Sequence, residues 1–288
     1  MMTVQEAASS ESDATLRADD SILGKAFAIL GAFSHGPRML SLSQISRLSG
    51  VPKSTTHRVL AMLVELGAVD RSGTEYRMGD VMFSYGSRSP EVALRGAALP
   101  HLESLLLQTR QVVHFAVLRK QEVLYLERLS LSSVISPATV GDRLPAHLTG
   151  VGKALLAHAS AETVSRYLDR RLTARTDASI TSQDALRHEL GGIRDLGVAF
   201  DHAEAARGLH CVAAPVRIGG RAVAAVSVAY PSSAGSGQTL IEPVRAAAAG
   251  IVMGKTARTP AVIVRGLRLE GSGSGRDLVR PAAEDLFR

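Results

Sequence analysis

The segment from Ser21 to Val64 contains no Asp or Glu, although it carries five basic residues, Lys25, Arg38, Arg47, Lys53 and Arg58. Duplex DNA is a dense line of phosphates, so a segment without carboxylates approaches it without like-charge repulsion. The segment also has the apolar spacing of short helices, with a Gly-Val-Pro break between the last two. Together these features predict a helix-turn-helix with a positive face.

The first predicted helix runs from Ile22 to Phe33. A second helix is predicted to start at Ser41–Ser43 and to end at Gly50, because glycine accepts the left-handed conformation that closes helices. A third starts at about Pro52, which suits a first helical turn, and ends at Gly67. The apolar residues of the first helix recur at helical spacing, and we expect them to form a buried stripe consisting of Leu23, Phe27, Leu30 and Phe33.

The third helix has the composition of a recognition helix. Basic and hydroxyl side chains crowd its first turns, where such a helix enters the major groove and where backbone N–H groups favour phosphate. Residues 68–78 follow as a predicted β-hairpin with a Ser-Gly tip, which makes the motif winged. The alternative is a solvated bundle whose basic residues provide only solubility. The predicted DNA-binding residues are Arg38, Ser43, Lys53, Ser54, Thr55, Thr56, His57, Arg58, Arg71 and Arg77.

Composition limits what else the chain can be. Its 288 residues suit two domains, and a net charge of +6 with a pI of about 9.8 indicates an anionic partner without deciding between nucleic acid and a ligand. The single cysteine, Cys211, excludes an intramolecular disulfide framework and any multi-cysteine zinc site. The polar residues 1–20 do not have the pattern of a secretion signal, and no apolar run is long enough to cross a bilayer. We therefore expect a cytoplasmic protein with no membrane partner.

The rest of the chain mixes strand and helix patterns. Gly79–Pro90 marks a boundary, after which a linker helix starts at Glu91 and is broken or kinked by Pro100. Two apolar strands joined across Gly219 and Gly220 are typical of a tight hairpin. Hairpins mixed with helices predict an α+β domain with an antiparallel sheet and not a doubly wound parallel one. The predicted strands are 112–118, 122–128, 134–139, 211–216 and 222–228. One predicted helix begins near Gly152, a second runs from the capping pattern Thr181–Asp184 to Gly197, and a third spans Ile241–Met253.

Short motifs occur in order in both halves of the chain, namely Leu42–Ile45, Val51–Arg58, Gly150–Ala157, Cys211–Val216 and Ala225–Ser227. With these motifs the chain resembles the IclR family of bacterial transcription regulators over roughly residues 22–255. The resemblance implies a winged helix-turn-helix, a connecting helix and a GAF-like effector-binding domain, assembled as homodimers or homotetramers. Family members bind double-stranded operator DNA, and a small metabolite, often an organic or aromatic acid, alters that binding from the second domain.

The resemblance also implies a division of the chain and a set of ligand contacts. We expect a repressor whose effector-binding residues are Gly150, Val151, Asp201, Cys211 and Ser227. The predicted parts are a disordered tail at 1–20, the DNA-binding domain at 21–80, a linker and connecting helix at 81–110, the effector domain at 111–255 and a flexible tail at 256–288.

Glycines before a helix also point to an effector site on physical grounds. The Gly150-Val151-Gly152 segment presents backbone N–H groups at the positive end of the helix dipole, where a carboxylate is stabilised. Arg143 and His147 lie just before this loop and are candidates for neutralising an anionic effector, although an ordinary surface role is equally compatible with the sequence.

Other kinds of site are also to be considered for this sequence. The Gly150–Lys153 loop is not a P-loop, because Ala154 replaces the Ser or Thr that binds Mg²⁺. A metal site is a minor alternative, and Cys211 as a nucleophile with a histidine base is a weak one, so we expect no enzyme, no cofactor and no metal. A DNA-binding protein whose second domain serves only oligomerisation is the stronger alternative. The candidate metal ligands are Asp201, His202, Glu204, His210 and Cys211.

Overall fold

The computed structural model describes residues 21–34, 37–131 and 138–251. The predicted tails at 1–20 and 256–288 lie outside these residues, as do residues 134–137 of the predicted strand 134–139. Ala138 and Thr139, the last two residues of that predicted strand, are described and do not lie in a strand.

The amino-terminal domain is a winged helix-turn-helix. Ser21 caps the first helix through the amide of Gly24, and a capping box between Ser41 and Gln44 starts the second. Gly50, at φ 68°, closes the second helix in the left-handed conformation expected of it. The three short strands form one antiparallel sheet in the order β1-β3-β2. The elements are α1 Ile22–Gly31, β1 Leu40–Ser41, α2 Leu42–Ser49, α3 Lys53–Glu65, β2 Val69–Ser72 and β3 Glu75–Met78.

The predicted buried stripe of α1 is wrong in its first half. Leu23 and Phe27 are 70% and 61% exposed, whereas Ala28 and Ile29 face the core together with Ala32. Both faces of this helix satisfy the helical period, so spacing alone could not choose between them. The domain buries the face with smaller side chains and leaves two large apolar residues in contact with solvent.

Two helices connect the domains. The sequence predicted only a boundary at Gly79–Pro90, but α4 (Asp80–Gly86) occupies most of it. Ser89 caps α5 (Pro90–Thr109), which continues through Pro100 without a break. The later residues of α5 pack into the core of the second domain, so this helix is part of that domain and not a free linker. These packed residues are Ala98, Leu102, Leu105 and Leu106.

The second domain is built on a six-stranded antiparallel sheet in the order β6-β5-β4-β9-β8-β7. The Gly219-Gly220 hairpin is confirmed, and both glycines have positive φ, at 57° and 79°, as a two-residue turn of this type requires. The short outer strands β6 and β7 were not predicted. The strands are β4 Val112–Arg119, β5 Glu122–Leu129, β6 Arg143–Pro145, β7 Ala199–His202, β8 Leu209–Ile218 and β9 Arg221–Pro231.

Helices cover both faces of this sheet. On one face lies α6, packed on sheet positions that are mostly alanine, namely Ala116, Ala199, Ala213 and Ala225. On the other face α5 and α9 pack on larger side chains such as Phe115, Val226 and Val228. These observations confirm the α+β fold with an antiparallel sheet. The helices are α6 Gly150–Ala157, α7 Ala161–Leu168, α8 Gln183–Leu196 and α9 Ile241–Gly250, of which α7 was not predicted.

Within the part of the chain that the structure describes, no helix combines the length and apolar character needed to cross a bilayer.

Candidate DNA interface and effector cavity

The first turns of α3 form an exposed cationic surface. Lys53, Ser54, His57 and Arg58 are exposed and Thr55 is half-buried. No side chain caps α3 at Pro52, so the first-turn amides have no side-chain acceptor. A helix start of this kind offers backbone donors to a phosphate in addition to the basic side chains.

The prediction for Thr56 is corrected by its burial. Thr56 is fully buried, and its hydroxyl donates to the carbonyl oxygens of Val51 (3.0 Å) and Pro52 (3.1 Å). This side chain therefore holds the turn before α3 and is not accessible to DNA. The spacing of hydroxyl residues along the sequence did not reveal which of them faces inward.

The other predicted DNA contacts lie on the surface around α3. Arg38 precedes β1 and Ser43 lies in the first turn of α2, and both are exposed. On the wing, the Arg71 guanidinium donates to the Gly73 carbonyl at 3.0 Å and lies 5.8 Å from the ring centre of Tyr76.

Arg77 differs from Arg71 because it has an acidic partner. It forms an ion pair with Asp70 of the neighbouring strand at 3.0 Å. Both wing arginines are exposed, but the charge of Arg77 is partly compensated by this carboxylate.

A cavity of about 20 Å³ lies between α6 and the sheet of the second domain. Four predicted effector residues, Val151, Asp201, Cys211 and Ser227, line it together. Gly150 contacts the cavity wall, because a Cβ added there would lie 2.7 Å from the Cys211 sulfur. The lining residues that sequence analysis missed are His114, Tyr125, Thr149, Ala205, Leu209 and Ala229.

Two of the missed residues, His114 and Tyr125, lie on strands β4 and β5. His114 pairs with Ser227 across β4 and β9, and the His114 and Tyr125 rings meet at 5.4 Å. Both strands were predicted, and alternation assigns the side chains of each strand to one of two faces. The sequence does not show which face lines the cavity, because that depends on the register between the strands.

The glycines at the start of α6 serve packing more than ligand access. The helix begins at Gly150, two residues earlier than predicted, and Thr149 caps it by accepting from the Gly152 amide at 3.0 Å. A Cβ at Gly152 would lie 2.2 Å from the Ala146 carbonyl oxygen. The Gly150 amide donates to Cys211. Two amides of the predicted anion site are therefore engaged by protein atoms.

Burial controls the charge state of the cavity. It raises the pKa of Asp201 to about 7, with a further contribution from the Glu204 carboxylate, while the Glu204 amide opposes this shift by donating at 2.7 Å. It also raises the pKa of the Cys211 thiol to about 12 and lowers that of His114 to about 3. At neutral pH the cavity therefore contains a neutral thiol, a neutral imidazole and a carboxyl close to its titration point.

Lys153 is a buried cation behind this cavity. Its ammonium is 2.6 Å from Glu204 and 2.9 Å from Glu189. Burial disfavours its charge, but the Glu204 and Glu189 carboxylates outweigh that effect, and its pKa is raised. The lysine joins α6 to α8 and to the segment after β7, so the position of Asp201 relative to α6 is fixed by charge as well as by packing.

Neither Arg143 nor His147 lines the cavity. Burial lowers the pKa of His147, whose ring nitrogens contact the Tyr167 hydroxyl (2.7 Å) and the Thr173 carbonyl (2.9 Å). Arg143 is exposed on β6, with its nearest carboxylate, Glu122, at 3.9 Å. The idea that these two residues neutralise an effector is not supported by their positions.

The candidate metal ligands do not converge. Asp201 pairs with Cys211 and His202 pairs with His210 across β7 and β8, which puts the two pairs on opposite faces of the sheet. Among residues 21–34, 37–131 and 138–251, no group of three or more His, Cys, Asp or Glu is placed to hold a metal ion. The raised thiol pKa of Cys211 is opposite to the shift that activates a nucleophilic cysteine.

A winged helix-turn-helix with an exposed basic helix start, joined to an α+β domain with an internal polar cavity, defines a DNA-binding regulator with a ligand-sensing domain. Comparison with known proteins gives the family. The IclR helix-turn-helix domain matches residues 23–73, and the bacterial transcriptional regulator IclR C-terminal domain matches residues 90–253. The chain belongs to the IclR family of transcriptional regulators.

Individual relatives agree with this assignment. The chain is 31% identical to the HTH-type transcriptional regulator XynR of Escherichia coli, over 73% of this chain and 85% of that protein. It is 32% identical to the E. coli transcriptional repressor IclR, over 67% of this chain and 74% of that protein. An IclR homolog from Microbacterium hydrocarbonoxydans, solved in complex with 4-hydroxybenzoate, is 32% identical, with a TM-score of 0.74 over 80% of this chain and 97% of that one.

The raised pKa of Asp201 predicts a specific pH dependence of stability. The folded chain retains a proton on this carboxyl up to a pH of about 7, whereas an unfolded aspartate loses it at about pH 4. The contribution of Asp201 to the unfolding free energy therefore falls as pH rises through this window and is constant above it. Across this window the wild-type chain should lose roughly 2–4 kcal/mol of unfolding free energy through Asp201, and Asp201→Asn should not show this loss. In urea unfolding, the unfolding free energy of the variant minus that of wild type should therefore grow from about pH 4 to pH 7.

Ser227→Ala is the matched control for Asp201→Asn, because it changes the same cavity without removing a titrating group. Its difference from wild type should be independent of pH. Parallel stability curves for wild type and Asp201→Asn would show that Asp201 titrates normally in the folded chain.

Proposed function

We propose that the chain is a repressor that inserts α3 into the major groove of its operator. The exposed side chains of Lys53, Ser54, His57 and Arg58 on the uncapped first turns of the helix support this proposal. Thr55 lies on the same helix, and Arg38, Ser43 and the wing arginines Arg71 and Arg77 lie around it and contact the flanking DNA backbone. Repression is proposed because the relative named transcriptional repressor IclR is 32% identical over 67% of this chain.

We propose that the cavity of the second domain binds a small organic acid. The relative that holds 4-hydroxybenzoate supports an aromatic acid as the ligand class. The described lining contains no Lys or Arg, so an anion there must be held by hydrogen-bond donors from Thr149, Tyr125 and Ser227. A hydroxyl on such a ligand would donate to Asp201, whose ionisation responds to the ligand charge.

Ligand entry requires the cavity to expand. A volume of about 20 Å³ holds approximately one water molecule, which is far smaller than a benzoate ring. The effector therefore binds an arrangement of α6 and the surrounding strands that leaves more space than the described one.

We further propose that the protein acts as a homo-oligomer. Large apolar side chains are exposed on α1 and α4, where Leu23 and Phe27 are joined by Phe83 (81%) and Tyr85 (70%). Exposed apolar residues in such numbers are typical of association surfaces, and paired DNA-binding domains match the two-fold symmetry of operators.

Substitution of the recognition helix tests the DNA interface. We expect Lys53→Ala and Arg58→Ala each to weaken binding to a duplex, selected by the wild-type protein from a random-sequence pool, by about 1–3 kcal/mol if the residue reads a base edge. A residue that contacts phosphate should instead reduce the slope of log affinity against log salt concentration by about one. Fluorescence anisotropy over a salt series measures both quantities.

Arg166→Ala provides the control for these variants, because Arg166 is an exposed arginine on α7 of the second domain, paired with Glu162. It should leave affinity and salt slope unchanged. Wild-type affinity in both α3 variants would exclude α3 as the reading element.

The effector proposal predicts that 4-hydroxybenzoate raises the melting temperature and shifts affinity for the selected duplex by roughly 5- to 150-fold, a coupling of about 1–3 kcal/mol. Ser227→Ala should reduce both effects, because it removes a cavity hydroxyl, and should leave ligand-free DNA binding intact. Differential scanning fluorimetry and anisotropy provide the measurements.

Ser232→Ala is a control on the exposed surface and should respond to 4-hydroxybenzoate as wild type does. If neither 4-hydroxybenzoate nor a panel of other small organic acids changes melting or DNA affinity, the second domain serves assembly alone.

The assembly proposal predicts that a Leu23→Glu/Phe27→Glu double variant loses its oligomer, because burying two carboxylates in an apolar interface is unfavourable. Light scattering after size exclusion should give a lower mass than wild type. Leu196→Glu, at a 46% exposed position on α8, should not change the mass. A wild-type protein that elutes as a monomer at working concentration would contradict the proposal.

A further inference from the structure

The strand that lines the effector cavity is directly attached to the helix that leads to the DNA-binding domain. Tyr125 on β5 lines the cavity. Two residues later, Glu127 forms an ion pair with Arg95 of α5, with oxygen–nitrogen distances of 2.6 and 2.8 Å. Alternating side chains along a strand place residues two apart on the same face. Here they face opposite sides of the sheet.

A β-bulge accounts for this reversal. On β4, the neighbouring residues Phe115 and Ala116 pair with Glu127 and Tyr125, so Leu126 is an extra residue opposite them. Ala116 packs on the cavity side of the sheet with Tyr125, whereas Phe115 and Leu126 pack on the α5 side. The extra residue thus turns Glu127 away from the cavity and towards α5.

The ion pair is formed by a buried carboxylate. The Glu127 side chain is only 7% exposed, and its other oxygen accepts from the Arg128 amide at 2.9 Å. A buried carboxylate held by an arginine and a backbone amide has few alternative positions, because losing either donor would leave charge without a partner. Arg95 must therefore follow any displacement of Glu127.

A second ion pair fixes the first turn of the same helix. Glu91 of α5 pairs with Arg119 at the end of β4. Apolar packing holds α5 from Leu94 onward, and the ion pairs of Glu91 and Arg95 add charged contacts in the part nearest the DNA-binding domain. Strands β4 and β5, which carry His114 and Tyr125 of the cavity, are therefore the strands to which the start of α5 is bound.

We propose that the Leu126 bulge and the Arg95–Glu127 ion pair couple the effector cavity to the position of the DNA-binding domain. Outward movement of Tyr125 on ligand entry displaces Glu127 through the bulge, and Glu127 displaces the start of α5 through Arg95. Arg95 and Glu127 are positioning residues that contact neither effector nor DNA. This inference rests on the proposed function.

Cys211 allows the coupling to be measured without knowing the natural effector. It is the only cysteine and lies in the cavity wall, so its reaction rate with 5,5′-dithiobis(2-nitrobenzoic acid) reports how often the cavity opens. Coupling is reciprocal, so DNA bound at the first domain must change the opening of the cavity. We expect a saturating amount of the selected duplex to change this rate by roughly fivefold or more in the full-length wild-type protein.

Glu127→Gln keeps the shape of the side chain and removes its charge. It should bind the duplex with wild-type affinity, but the ratio of Cys211 rates with and without DNA should fall to nearly one. Arg95→Gln alters the exposed partner of the pair and should behave in the same way, which keeps the test valid if Glu127→Gln folds poorly. Arg95→Lys, which retains the charge, should recover most of the wild-type ratio.

Glu242→Gln is the matched control, because Glu242 pairs with Arg245 on α9, the other helix on that face of the sheet. The Glu242→Gln variant should keep the wild-type ratio of Cys211 reaction rates with and without DNA. An unchanged ratio in both Glu127→Gln and Arg95→Gln, or a wild-type protein that binds the duplex without any change in Cys211 rate, would overturn the coupling. A wild-type protein that selects no duplex would instead refute DNA binding itself.

Discussion

The close packing of α6 on the sheet determines the geometry of the second domain. Every residue of this eight-residue helix is buried. Gly152 allows it to approach the Ala146 carbonyl, and Gly150 allows it to approach Cys211, at distances where a Cβ would overlap. Alanines on the facing strands complete this close approach. The cavity exists at the start of this helix because the sheet there presents Cys211, Ser227 and Asp201 in place of larger apolar residues.

The same packing explains the charges that the domain keeps inside. A helix buried on all sides has no route for Lys153 to reach water, so its ammonium is neutralised by Glu204 and Glu189. Removing one member of such a cluster leaves a buried charge unpaired, which costs far more than a surface ion pair contributes. Glu204 in turn borders Asp201 and helps to raise its pKa. Burial is the main cause of the raised Asp201 pKa, and charged residues that do not line the cavity, Glu204 and Lys153, modify it.

Sequence patterns predicted the local features of this fold well. The helix start at Ser41, the left-handed Gly50 and the Gly219-Gly220 turn depend on neighbouring residues only, and each lies where the sequence places it. The shorter elements β6, β7 and α7 escaped prediction because tertiary contacts stabilise them. The sequence also did not predict which side chains face the core, because neither the buried face of α1 nor the burial of Thr56 follows from helical spacing.

The residues that line the cavity could also be predicted only in part. Resemblance to a family led to Val151, Asp201, Cys211 and Ser227, which do lie together. His114 and Tyr125 were missed because their contribution depends on strand register. The bulge at Leu126 was equally hidden, because one extra residue changes the face of Glu127 without leaving a mark in composition or periodicity.

The structure also indicates where the cavity can open at least cost. A ligand shifts a protein only towards a state that it binds better, so it must favour an arrangement with more space than the described 20 Å³. Moving α6 would disturb the Lys153 ion cluster and the glycine contacts together. Among the described residues, the outer side of β5 pairs with the three-residue β6 and with the segment just before it, where Gly141 and Asp142 hydrogen-bond to the Tyr125 backbone. The hydrogen-bond ladder from β5 to β4 is interrupted by the bulge. Displacement of β5 leaves the Lys153 ion cluster and the glycine contacts of α6 in place, and β5 is the strand from which Glu127 reaches the helix leading to the DNA-binding domain.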